Sequence, residues 1–239
     1  MIQDMNTVIF ESWGRSIMKK SVKIIGFVFL IIMGTVYYFL NLSFTKYNIY
    51  PVKTSNEFLE KVYGKKFTLL DIIFYADNGD YVWKMQYKDE NDLMFNEYFF
   101  HPIEGSEGFF YIFFDKDYGE QGFRDYYWQA EVQNKFDEEF DLKNYQTEVG
   151  YAMPMYRFII HDEDDIKKVT NIIAVTLTYT LKNVRQLPDK AIGAYDVEYM
   201  GERICLICID SKMKEYVDKD YDELFQYIYD KIYSDFHKD

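Results

Sequence analysis

The first long pattern in the chain is an unbroken apolar run. Residues 22–40, VKIIGFVFLIIMGTVYYFL, hold a single charge, Lys23, at one edge. As a helix they rise about 28 Å, close to the roughly 30 Å hydrocarbon core of a bilayer. Arg15, Lys19, Lys20 and Lys23 lie before or at the start of the run, and Tyr37 and Tyr38 sit near its far end. Basic residues stay on the cytoplasmic side and amphipathic rings favour the interface. The pattern therefore predicts a short cytoplasmic segment over 1–21, a transmembrane signal-anchor helix over 22–42, a tether over 43–53 and an extracytoplasmic domain over 54–239. The run is longer than the about 7–15 residues of a signal-peptide core, and Asn41, Leu42, Ser43, Phe44, Thr45 offer no A-x-A-like cleavage site. An uncleaved anchor is expected. Met18-Lys19-Lys20 has the form of a bacterial signal-anchor start, which leaves Met1 and Met18 as alternative first residues.

Beyond the anchor the pattern alternates between helical and strand periods. Thr54-Ser55-Asn56-Glu57 is a T-x-x-E capping box, and Gly64 suits the position just past a helix end, so a short helix is expected over 55–63. Strands follow at 67–75 and 81–87, joined by Asp77-Asn78-Gly79-Asp80, because Asn-Gly accepts the positive φ of a type I′ turn. Further strands are expected at 93–100 and 109–114. Helical spacing resumes over 123–140, and 141–155 reads as a connector. A strand at 156–160 leads to Asp162 and a helix at 164–182, whose apolar residues recur at steps of three and four although many are β-branched. Residues 192–200 and 203–210 form a hairpin around Gly201, and a last helix starts near 220. The fold class expected is α+β: an antiparallel-sheet domain with helices packed on it, after one transmembrane helix. Residues 54–239 read either as one domain or as two halves, 54–145 and 150–239, each read as helix, antiparallel strands, helix.

Composition adds constraints. The 239 residues include 24 Tyr, 21 Phe and 3 Trp, with 49% apolar overall, which is enough for a substantial core. The formal charge is −13. Beyond Lys23, 23 basic and 38 acidic residues remain, a charge of −15. Nucleic acid is excluded as a partner by that sign. A basic protein would be attracted and steered.

Candidate chemistry is sparse. Cys205 and Cys208 form a C-x-x-C inside an apolar strand, where positions i and i+3 face opposite ways, so core thiols are expected rather than a redox pair. His101, His161 and His237 lack metal or triad spacing. Ser106 has Glu104, not Gly, two positions before it, so the nucleophile elbow fails. Asp218, Asp220 and Asp222 start like an EF-hand loop, but Glu223 and Tyr229 occupy the positions that need Gly and Glu. Asp115 and Asp117 are similarly partial. No catalytic residue, metal ligand or cofactor site is predicted, and no small-molecule cofactor is expected. Tyr126, Tyr127 and Trp128 cannot all face one core, since three successive helical residues fan through about 200°. Either one of them stands at the surface as a binding anchor, or the helix lies between the sheet and other elements and buries all three.

The sequence thus points to a non-enzymatic, membrane-anchored protein-binding domain outside the membrane, held to the bilayer through 22–42 and facing a basic protein partner. Its sharpest form is an inhibitor or immunity protein against a secreted toxin or hydrolase. An envelope sensor or assembly factor with a membrane partner, and an envelope hydrolase with an unrecognised carboxylate site, are the alternatives.

Overall fold

The computed structural model describes residues 29–34, 50–77, 79–102, 122–147 and 153–237. The chain divides into two compact units, Met1–Ile49 and Tyr50–Asp239. In the first unit, residues 29–34 are helical, and Phe29, Leu30, Ile31, Ile32 and Met33 are 51–70% exposed. No helix among the described residues is long and apolar enough to cross a membrane. The rest of the expected anchor lies outside the described residues.

The second unit is α+β. It opens with α1 (Tyr50–Tyr63), followed by β1 (Thr68–Asp77), β2 (Asp80–Lys88), β3 (Met94–Pro102) and β4 (Phe123–Arg124). These four strands form one antiparallel sheet in the order β1-β2-β3-β4. Then come α2 (Tyr127–Phe140), a 3₁₀ turn (Leu142–Tyr145), β5 (Met155–Ile160), α3 (Glu163–Asn183), β6 (Gly193–Tyr199), β7 (Glu202–Ile209), a second 3₁₀ turn (Ser211–Tyr216) and α4 (Tyr221–Phe236). The last three strands form a separate sheet, β5-β6-β7.

Several expected elements form where their local signals lie. The first hairpin turns at Gly79, with φ 89°, so that Asp77 pairs with Asp80. Met200 and Gly201, at φ 51° and 83°, supply the two positive-φ residues of a type I′ turn between β6 and β7. Gly64, at φ 67°, ends α1, and its N–H bonds the Glu60 carbonyl at 2.9 Å. Asp162 caps α3 by accepting from the Asp164 and Asp165 N–H groups, both at 3.0 Å. The threonines that argued for a strand instead turn inward along α3. Thr176, Thr178 and Thr180 donate to the carbonyls of Ile172, Ala174 and Thr176.

Three details differ from expectation, and one expected strand is untested. Helix α1 begins at Tyr50, so Thr54 is a buried interior residue rather than a cap, and the expected tether contributes its first turn. Pro51 is tolerated there because the first turn needs no N–H from it. Helix α2 begins at Tyr127, because Phe123 and Arg124 pair with Phe99 and Tyr98 as β4. The second sheet is mixed: β5 and β6 run parallel, since the 21-residue α3 lies between them as a crossover, while β6 and β7 are antiparallel. The expected strand at 109–114 lies outside the described residues.

Helix α2 ties the unit together. On one side Tyr127 packs on Phe95 and on Tyr63 of α1. On the other, Trp128 meets Tyr156 and Tyr195 of the second sheet, and its indole N–H donates to Thr180 Oγ1 at 3.0 Å. The Trp128 ring lies so close to Gly193 that a Cβ there would stand 2.2 Å from a ring carbon.

Candidate functional site

The first sheet has two unlike faces, because β residues alternate. Trp83, Met85, Tyr87, Phe95 and Phe99 form the core face, covered by α1 and α2. In the middle of this apolar face stands a carboxylate, Glu97, 0% exposed. Directly above it is Asp125, 4% exposed, just before α2. A side-chain hydrogen bond joins the two acids.

Their other partners explain why they are tolerated. The first N–H groups of a helix have no partner within it. The Tyr126 and Tyr127 N–H groups donate to Glu97 Oε1 at 3.1 and 3.0 Å. The Tyr127 N–H also donates to Asp125 Oδ1 at 2.9 Å, and the Tyr63 hydroxyl donates to Asp125 Oδ2 at 2.5 Å. Burial disfavours the charged form of both acids. It raises Glu97 well above the usual carboxylate range, with the neighbouring Asp125 charge adding to it, and pushes Asp125 up to about 7. Asp125 has the more donors and ionises first, so Glu97 keeps the shared proton.

A second polar array closes the end of this cluster. Lys65 donates to the Tyr127 hydroxyl at 2.7 Å and forms an ion pair with Glu131. The Tyr127 hydroxyl lies 3.1 Å from both Asp89 Oδ2 and Glu131 Oε1. Asp89 Oδ1 accepts from the Asn91 and Leu93 N–H groups and shapes the β2–β3 turn. Every member is tied to the backbone of the fold or to another member. Acids this deeply covered tie α2 to the sheet and to α1.

Among the described residues two surfaces stand out. Strand β1, ten residues long, ends the strand order of the described sheet, with Ile73 50% and Tyr75 38% exposed. Its only charges are Asp71 and the terminal Asp77. The second is a concavity of about 250 Å3 between β3 and α2, whose polar lining is Asn96, Tyr98, Tyr126, Gln129, Gln133 and Gln146.

The residues singled out from sequence are dispersed. Tyr126, Tyr127 and Trp128 are all buried, the second of the two readings open to them. The fan of directions is real, but α2 is wedged between two sheets and each ring finds a different core. Tyr126 alone reaches an opening, at the wall of the concavity. Cys205 is buried and Cys208 half-buried on alternate faces of β7, both free. His101 is buried in β3, His161 is exposed, and His237 ends α4 with its ring 3.2 Å from Glu163. Asp220 serves as the N-cap of α4 in a capping box with Glu223. Among the described residues no group of three or more His, Cys, Asp or Glu is placed to hold a metal. Ser106, Asp115 and Asp117 lie outside the described residues.

Sequence reasoning missed the Glu97–Asp125 pair. One signal was present: Glu97 interrupts the inward series Phe95, Phe99 of an alternating strand. The other was Asp125 itself, a preferred capping residue just before the helical run.

Fold and surfaces together define an α+β domain built from an antiparallel four-stranded sheet and a mixed three-stranded sheet, bridged by one helix. Compared with known proteins, the chain matches no family model, no curated protein and no solved structure.

Proposed function

We propose that the chain is a membrane-anchored, extracytoplasmic protein-binding domain, and in its sharpest form an inhibitor or immunity protein that intercepts a secreted, basic toxin or hydrolase. The observation that carries the binding role is β1. Its face carries Ile73 at 50% and Tyr75 at 38% exposure, and exposed apolar side chains that stand together are typical anchors of protein interfaces. The two lie side by side on the same face of β1, beside the exposed Asp71.

The anchor is supported by the apolar run over 22–40 and its preceding Arg15, Lys19 and Lys20. The exposed apolar turn at 29–34 fits the same reading, since lipid would cover those side chains. The excess of carboxylates beyond Lys23 favours a basic partner, because opposite charge raises the capture rate.

A photo-crosslinking residue at position 73 or 75, in intact cells, tests this reading. A discrete adduct with one protein is expected, weakening as salt is raised; the same residue at position 200, on the β6–β7 turn, should give none. Absence of any adduct from β1, or the same adducts from all three positions, refutes the assignment.

A further inference from the structure

We infer that the concavity between β3 and α2 binds a neutral saccharide. Its lining is unlike the rest of the surface. The chain is 28% charged, yet among the described residues no Asp, Glu, Lys, Arg or His lines this site. The polar groups are four carboxamides, Asn96, Gln129, Gln133 and Gln146, and two phenols, Tyr98 and Tyr126. A carboxamide presents an acceptor and two donors side by side. Vicinal hydroxyls of a sugar each donate and accept, so they match that pattern without any charge.

The amides are held in place. Gln129 is buried, and its Nε2 donates to the Met155 carbonyl at 3.1 Å. Gln146 Nε2 donates to Gln133 Oε1 at 2.5 Å. These bonds restrain Gln129, Gln133 and Gln146, so the cavity is lined by fixed carboxamides rather than mobile side chains. Met94, Phe95 and Ala130 complete the wall and suit the C–H face of a sugar ring.

Other ligand classes fit worse. A charged ligand would meet no counter-charge among the described lining residues, and a purely apolar one would strip water from the amides without replacing their hydrogen bonds. The volume, about 250 Å3, falls below the roughly 300–1,000 Å3 of sites that take drug-sized molecules. One sugar ring fills it, and the open side lets a longer chain run on. The inference is independent of β1, which β2 separates from the concavity at β3.

Ligand-observed saturation-transfer NMR on the full chain in lipid nanodiscs tests it, with glucose, N-acetylglucosamine, glucuronate and tetra-alanine as probes. Glucose or N-acetylglucosamine is expected to receive saturation with a millimolar Kd, and glucuronate to bind at least about tenfold more weakly. Asn96→Leu and Gln133→Leu, each with an unchanged thermal unfolding midpoint, should weaken the neutral sugar by about tenfold or more. No transfer to either neutral sugar up to about 50 mM, transfer undiminished in both variants, or transfer to tetra-alanine in its place overturns the inference.

Discussion

Replacing Glu97 by Gln tests the buried acid pair most sharply. In the folded unit Glu97 is neutral, its Oε1 accepts two backbone N–H groups, and it is hydrogen-bonded to Asp125. A Gln reproduces that arrangement: its oxygen keeps both N–H bonds, and its amide N–H donates to Asp125. The wild type has a penalty the variant lacks. Below about pH 3 both acids are mostly neutral, folded or unfolded, and their contribution to stability is whole. As pH rises the unfolded acids ionise first while the folded pair holds its protons, so stability falls. For Asp125, a rise from 3.8 to about 7 corresponds to a loss on the order of 4 kcal/mol by neutral pH. Glu97, held higher, extends the fall beyond that at one proton's slope.

Urea unfolding of residues 50–239, followed by the fluorescence of the buried Trp83 and Trp128, measures this. From pH 5 to 8 the wild type should lose stability steadily. The Glu97→Gln curve should be shallower by up to one proton, about 1.4 kcal/mol per pH unit, and should lie above the wild type at pH 8. Parallel curves, or a variant weaker than wild type at pH 8, would refute the shared proton.

Further predictions follow from the packing. Gly193→Ala places a methyl against the Trp128 ring and should lower stability by about 1–3 kcal/mol in the same urea assay. Asp220→Ala removes the α4 capping box and should cost about 1 kcal/mol, read as a lower urea midpoint. Burial raises the Cys208 thiol above its ordinary value and covers Cys205, so iodoacetamide at pH 7 should modify Cys208 slowly and Cys205 only on unfolding. Mild oxidant should give no internal disulfide by mass, because alternate faces of β7 separate the sulfurs. Ile73→Lys should change stability by no more than about 0.5 kcal/mol, since the side chain is exposed, while abolishing the crosslink from position 75.

What was legible in the sequence was local. Asp162, Gly64, Gly79 and the Met200-Gly201 turn each act on neighbours within four residues, and each forms as read. The errors arise where a distant segment decides. Phe123 shares helical spacing with Tyr127, but pairing with Phe99 makes it a strand residue. The parallel pairing of β5 with β6 spans the whole of α3, and no turn signal announces it. Glu97 and Asp125 are 28 residues apart, and only the folded sheet shows that one lies beneath the other. Tyr127 and Trp128 face different cores because the chain builds two sheets around α2, which no local signal announces.

The side of the membrane on which residues 50–239 stand is the hinge of the proposed function. Protease shaving of intact cells, probing a C-terminal tag with lysed cells as control, measures it directly. The account predicts loss of the tag in intact cells at the same protease dose that removes it after lysis. Protection of the tag until lysis would place the unit in the cytosol and contradict an extracytoplasmic binding role.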